Sequence, residues 1–501
     1  MKRWLLKRTK IDTAAMARDL GIRRATAAVL ANRELSSRQA ARSFLYGGTA
    51  ALGNPLEMKD FSQAVSLLAE AIRAGKRIAV YGDYDVDGVM STSILYQTIL
   101  RCGGNAVFYL PHRQKEGYGL NLRAVEQLAA EGIEVLFTCD NGIAALQEIA
   151  LAKEKGMTVV VLDHHEPGFR GEGEERRDIL PAADAIIDPK QRACPYPFKQ
   201  MCAGGLSYYF AHHLLQIFEI TDEGLERQLL TFAGIATVCD IVDLLGENRA
   251  LVQMGLAEIG KTENIGLRVL IEEAGLSDKV ISEYHIGFII GPCINATGRL
   301  ESGRLAVELF CTQNEKEARE KARHLVMLNA ERKQLTEEAA ERADIALQEG
   351  DALQDRVLVL YDAEIHESIA GIVAGRIKDK YYRPTILITG SEDGAKGSGR
   401  SIEGYHLFEA LFANRDLFTR FGGHAMAAGL SLPVENIPVL RRRLNEGCTL
   451  TEEQMIPILR LEDALSFAEI DLGLAKELQT LAPFGKGNPA PLFASKGIHA
   501  D

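Results

Sequence analysis

Arg77-Ile78-Ala79-Val80-Tyr81-Gly82-Asp83-Tyr84-Asp85-Val86-Asp87-Gly88 is a short apolar run that empties into three carboxylates within five residues. Residues 77–80 read as a buried strand, and residues 90–100 as the helix that follows the acidic loop. The same alternation repeats downstream. Residues 106–110, Val135–Cys139, Thr158–Leu162 and Ala185–Ile187 read as strands, separated by helical stretches such as residues 143–154. Continuous apolar strands alternating with helices predict a parallel sheet covered on both faces, hence an α/β fold. The carboxyl ends of such strands share one edge, where open α/β sheets bind ligands. Three carboxylates crowded there repel one another unless a cation lies among them. An EF-hand loop begins similarly but needs a glutamate at position twelve; counting from Asp83 that position is Ile94, and the element before the loop is a strand.

Two further strands end in acid, one in Thr138-Cys139-Asp140-Asn141-Gly142 and one in Asp163-His164-His165. One strand-end aspartate is more often a helix cap than a ligand, but successive ones in a parallel sheet converge on one edge. Asp240, after an apolar helical segment, can reach the same place. Asp and His donors without thiolates suit Mn²⁺ or Mg²⁺ better than zinc. Two such ions would activate a water and stabilise a phosphoryl oxyanion, so the chemistry expected is phosphoester hydrolysis.

With 501 residues, 47% hydrophobic and 25% charged, the chain is globular and long enough for two or three domains. Eight cysteines without a C-x-x-C pair argue against a disulfide framework or structural zinc; Cys139 and Cys239 read as packing residues beside the site. No apolar run approaches the roughly 20 residues of a membrane span. The basic N-terminus lacks the apolar stretch and cleavage site of a signal peptide, and a cytoplasmic location is expected. The net charge of −12 disfavours a polyanion partner on its face. A carboxylate cluster offset by cations and a local basic groove would remove that objection.

Before residue 75 the chain reads as helical and carries no recognisable chemistry. Residues 315–347 lack Pro and Gly and predict one connecting helix, with Ala318, Ala322 and Leu325 along one face. A second α/β unit follows, with strands at residues 357–360 and 385–389 around a helix at residues 368–380. The last fifty residues read as the opening of a further domain.

The order Gly-Asp-Tyr-Asp-Val-Asp-Gly, Asp-Asn-Gly, Asp163-His164-His165 resembles the DHH phosphoesterase superfamily. Asn295-Ala296-Thr297-Gly298-Arg299, Gly397-Ser398-Gly399-Arg400-Ser401 and Gly422-Gly423-His424-Ala425-Met426-Ala427-Ala428-Gly429 narrow the resemblance to the RecJ exonucleases. It implies a parallel-sheet DHH lobe joined by a long helix to a smaller α/β DHH-associated lobe, then the start of an OB-like domain. The boundaries expected are 1–50 for an N-terminal helical segment, 51–310 for the DHH catalytic domain and 311–350 for the connecting helix. Residues 351–450 would form the DHH-associated substrate-binding domain, and 451–501 the incomplete OB-like one.

By the same resemblance Asp83, Asp85, Asp87, Asp140, His164 and Asp240 are metal ligands, with Asp140 and Asp240 as bridges. His165 lies beside the scissile phosphate, and Asp163 orients a histidine. Arg113 and Tyr118 line the DNA path, while Asn295, Arg299, Ser398, Arg400 and His424 hold substrate. Many DHH phosphoesterases have a histidine where this chain has Tyr81. The implied activity is a single-strand-specific 5′ to 3′ DNA exonuclease releasing 5′-mononucleotides with two Mn²⁺ or Mg²⁺ ions, in DNA repair and recombination. A monomer is expected, with a single-strand-binding protein and a helicase as candidate partners. The alternative is a DHH enzyme for short substrates, an oligoribonuclease or a (cyclic) dinucleotide phosphodiesterase.

Overall fold

The computed structural model describes residues 2–113, 115–171, 173–391 and 394–498. Gln114, in the segment expected to line the DNA path, and the last three residues of 451–501 lie outside these. The chain divides into a larger unit, residues 7–329 with 462–501, and a smaller one, residues 1–6 with 330–461.

The larger unit is organised by a five-stranded sheet, all parallel, in the order Asn105–Tyr109, Arg77–Tyr81, Val135–Cys139, Thr158–Leu162, Ala185–Ile187. Alternate residues bury into opposite cores. Ile78, Val80, Phe137, Val160 and Leu162 face one; Ala79, Tyr81, Leu136, Val159 and Val161 face the other. Burial on both sides is why the strands read as unbroken apolar runs. In order along the chain the strands stand 2-1-3-4-5, so connections leave the first and third strands in opposite directions and open a crevice beyond their carboxyl ends. Asp83–Asp87 follow the first strand and Asp140 follows the third.

The smaller unit has a mixed five-stranded sheet in the order Arg420–Gly423, Ala427–Leu432, Gly394–Arg400, Thr385–Ser391, Leu358–Tyr361, with only the last pair parallel. Helix Glu367–Tyr381 covers one face through Ile369, Val373 and Ile377. The helix expected at 315–347 runs Glu315–Glu349. Its Ala318, Ala322 and Leu325 belong to the core of the larger unit, and Ala339, Ala343 and Leu347 to that of the smaller.

The segment before residue 50 is not purely helical. It opens with strand Arg3–Leu6, which pairs in parallel with Ile458–Leu461. Trp4, Leu5 and Leu6 are exposed. A four-residue strand without a buried face leaves no period to read, which is why the sequence does not announce it. Helices Thr13–Leu20, Arg24–Asn32 and Arg38–Tyr46 follow. They pack with Leu481, and buried Arg249 ties the two segments together. Its guanidinium donates to the carbonyls of Phe44, Thr480, Leu481, Ala482 and Pro483 and lies over the Phe44 ring. Among the described residues, no helix is long and apolar enough to cross a membrane.

Candidate metal centre

Each acidic residue is placed by the element it terminates. Asp85 caps helix Val86–Arg101, one carboxylate oxygen accepting from the Gly88 N–H at 3.1 Å; the capping role is real and leaves the other oxygen available. Asp87, in the first turn, accepts the Ala203 and Gly204 N–H groups at 2.9 and 2.7 Å. Asp140 sits at φ +62, a left-handed conformation that aspartate tolerates better than most residues. Asp240 is the C-cap of helix Glu223–Cys239, the negative end of that helix and an unfavourable place for an uncompensated carboxylate.

These side chains converge. Ligand atoms of Asp83, Asp85 and Asp140 lie within 4.8 Å of one another, as do those of Asp140, His164 and His165, and those of Asp87, His164 and Asp240. His164 Nε2 is 3.2 Å from Asp140 and 3.6 Å from Asp87, while its Nδ1 is 3.7 Å from Asp240. Asp140 belongs to two of the three groupings, as a bridging carboxylate would; Asp240 belongs to one. Among the described residues, both oxygens of buried Asp83 and one of Asp240 have no hydrogen-bond partner.

At about 4 Å and an effective dielectric near 20, two like unit charges repel by about 4 kcal/mol. The carboxyl groups respond accordingly. Burial, then the Asp85 charge, pushes Asp83 up to about 8; burial, then Asp87 and Asp85, pushes Asp240 to about 8. Asp87 rises to about 6 and Asp140 well above the usual carboxylate range, again by burial first. Burial and the neighbouring His165 lower His164 to about 3, so this imidazole is neutral and can ligate. Cys139 and Cys239 are packing residues: burial raises both thiols, Cys139 to about 12, and protonated thiols leave an oxygen-and-imidazole donor set. That set, with its orphaned oxygens, fits Mn²⁺ or Mg²⁺.

Asp163 does not join the groupings. Its Oδ1 holds His165 Nδ1 at 2.7 Å and its Oδ2 takes the Ile143 N–H. Burial would lower the His165 imidazole, but this hydrogen bond and the surrounding acids raise it to about 9. Tyr118 packs on the site: its hydroxyl donates to the Asp140 carbonyl at 2.9 Å and lies 3.1 Å from His165 Nε2, its ring edge-on to Tyr84. Arg113 stands over the other aromatic of this corner, 5.3 Å from the Tyr84 ring centroid. Arg299, near the end of helix Gly291–Leu300, acts electrostatically on the same Tyr84. Tyr81 is turned into the core, stacked on Tyr109 and donating to the Gly119 carbonyl at 3.0 Å.

Sequence reasoning missed Asp188. It ends the fifth strand, is fully buried, and has one unpartnered oxygen; burial, then the Asp163 charge, pushes it to about 8. The signal was the one used elsewhere, an acid directly after an apolar run.

Ser398, Arg400 and His424 belong to the smaller unit. Arg400 Nη1 donates to Ser398 Oγ and the Gly399 carbonyl, and its Nη2 would lie 2.5 Å from a Cβ built on Gly371. Burial alone lowers this guanidinium, without a compensating carboxylate. Exposed His424 follows Gly423, whose φ of +141 and close approach to Ala427 and Ala428 exclude a side chain.

Three family descriptions match the chain: the N-terminal domain of the DHH family at residues 77–237, the DHHA1 domain at 354–449 and the RecJ OB domain at 461–501. The single-stranded-DNA-specific exonuclease RecJ of Bacillus subtilis is 38% identical over 98% of this chain, which spans 61% of that relative's length. RecJ of Escherichia coli is 35% identical over 87% of the chain and 78% of its own length. The crystal structure of Thermus thermophilus RecJ in complex with Mn²⁺ superposes with a TM-score of 0.82 at 28% identity, over 98% of this chain and 69% of that one. With its acidic crevice at the sheet's reversal point and its glycine-lined arginine strand, this chain belongs to the RecJ family of DHH proteins.

Proposed function

We propose that this chain hydrolyses single-stranded DNA from the 5′ end, releasing 5′-mononucleotides with two Mn²⁺ or Mg²⁺ ions. The observation that carries the reading is the convergence of Asp83, Asp85, Asp87, Asp140, His164 and Asp240 on one crevice, with orphaned carboxylate oxygens and a neutral imidazole. Bound there, such ions supply an activated water and offset charge on the phosphoryl group. The chain's own residues do the rest. Asp163 fixes His165 through Nδ1, and Nε2, 3.1 Å from the Tyr118 hydroxyl, is the nitrogen that would turn to a non-bridging phosphate oxygen. Tyr118 holds the Asp140 backbone and offers a ring on which a base can stack. Arg113, Arg299 and Asn295 serve the strand beside the crevice; Ser398, Arg400 and His424 hold its terminal phosphate.

In this reading residues 51–310 are catalytic, 311–350 connect, and 351–450 bind substrate, with 1–50 and 451–501 flanking them. The setting is DNA repair and recombination in the cytoplasm, as a monomer working with a single-strand-binding protein and a helicase. A 5′-labelled oligonucleotide, offered single-stranded and as duplex with and without Mn²⁺, tests it. The expected result is Mn²⁺-dependent release of labelled mononucleotide from the single strand only. Equal digestion of the duplex, or release of long labelled fragments, would refute it.

A further inference from the structure

Beside the acidic crevice lies an open groove of about 640 Å³, within the 300–1,000 Å³ range of ligand sites. Its walls are residues 238–244 around Asp240, residues 283–295, and the turn at 484–490. It is mainly apolar, and it adjoins the metal centre through Cys239 and Ile241, the chain neighbours of Asp240. Three features set it apart from an incidental surface depression. Tyr284 and Phe288, 59% and 66% exposed, stack on each other with centroids 4.9 Å apart and planes 27° from parallel. They are carried on and beside a π-helical turn, Ile286–Ile290, a rare element that is frequent at functional sites. Opposite them Ile241 is 66% exposed at φ +58, a conformation a β-branched residue adopts only under strain. That strain holds an aliphatic side chain out towards solvent, next to a candidate ligand.

The third wall is built deliberately. The Leu244 N–H donates to the Lys486 carbonyl at 2.8 Å and the Phe484 N–H to Glu283 at 2.9 Å. Lys486 brings a cation to the groove. Asn295, expected from the sequence to touch substrate, lines the same space.

Resting on the exonuclease reading, we propose that this groove takes the nucleobases of the single strand next to the metal centre, with Tyr284 and Phe288 as a stacking platform and Ile241 as the facing wall. An apolar slot joined to a metal-phosphate centre, bearing an exposed aromatic pair, fits a flexible strand whose bases are unpaired. A base has an apolar face for the rings, and its phosphates find the Lys486 ammonium and the cations. A duplex keeps its base faces stacked internally and gains nothing from the platform, so the groove itself selects for single strands.

The test pairs base removal with ring removal. Oligonucleotides with a phosphorothioate-blocked 5′ end and a single abasic residue moved stepwise along the strand are bound in Mn²⁺ and followed by anisotropy. For the unmodified protein, affinity drops about tenfold when the abasic residue reaches the platform, as for loss of one stacked base. Y284A/F288A binds the intact strand about tenfold more weakly and no longer responds to the abasic position. Y284L/F288L keeps apolar bulk and guards against a folding defect; its melting temperature stays that of the unmodified protein while the abasic response is lost. Equal abasic responses in the unmodified and alanine proteins, or full discrimination by the leucine pair, would overturn the platform alone. If the unmodified protein neither binds nor cuts single strands in Mn²⁺, both the platform and the exonuclease reading fall.

Discussion

The crevice of the larger unit and the glycine-rich strand of the smaller one are opposite solutions to charge. In the crevice, too many carboxylates face one another, and burial raises Asp83 and Asp240 to about 8 instead of relieving them. On the strand Gly394–Arg400, a part-buried guanidinium lies against Gly371 with a hydroxyl and a carbonyl as its partners and, among the described residues, no acid. The first arrangement suits cations, and in the reading proposed above the second takes an anion. The difference shows why the two were legible by different means. Excess charge of one sign is visible as residue types, whereas the seat of Arg400 is made of missing side chains and needs the fold to be seen.

The largest expected effect breaks the first half of that contrast. Asp140→Ala removes the carboxylate common to two ligand groupings, and Mn²⁺-dependent hydrolysis of single-stranded DNA should fall on the order of 10³-fold, as when a key electrostatic group is lost. Near-unmodified turnover would show that Asp140 is not a ligand. Gly371→Ala attacks the second half. Its Cβ would displace the flexible end of Arg400, and forfeiting a charge-assisted hydrogen bond, about 1.5–3 kcal/mol, should raise KM roughly 10- to 100-fold with kcat and melting temperature little changed. An unaltered KM would mean that Arg400 holds no phosphate.

A smaller effect sharpens the claim that protons and cations compete in the crevice. Asp83 and Asp240 have folded pKa values near 8, above the ordinary value of 3.8. Their protonated forms therefore stabilise the metal-free fold fully below about pH 4, and this contribution is lost as pH rises towards 8. Mn²⁺ replaces the protons, so its effect on melting should grow from pH 5 to pH 8, reaching about 5 °C or more at saturation. A shift that shrinks with rising pH would contradict the assignment. Least affected should be Tyr81→Phe. Loss of its hydrogen bonds with Gly119 and Asn121 costs about 1–2 kcal/mol of stability, while calorimetric Mn²⁺ affinity stays as it was. Weakened Mn²⁺ binding would bring Tyr81 back to the metal centre.

Much of the larger unit could be read directly. Its strands are apolar runs because both sheet faces are buried, and its acids follow those runs. Asp188 obeys the same rule, directly following the fifth strand, Ala185–Ile187. Other features had no local signal. Asp87 is anchored by N–H groups of Ala203 and Gly204, some 116 residues away. Strand Arg3–Leu6 depends on a partner beyond residue 450. Tyr81 faces the core because it alternates with Val80 along the strand, a position at which many DHH phosphoesterases carry a histidine. The aromatic groove has no local signal because its three walls come from segments about 40 and about 190 residues apart.

Arg249 adds an element of time. Its clasp on carbonyls 480–483, 231 to 234 residues later, fixes the segment from which the groove's third wall projects. Chains fold from the N-terminus as they leave the ribosome. The strands and acids of the crevice are thus all available long before that wall emerges. On the exonuclease reading, a nascent chain would assemble its metal centre first and the base-binding groove last, so the order of synthesis would separate catalytic competence from selectivity.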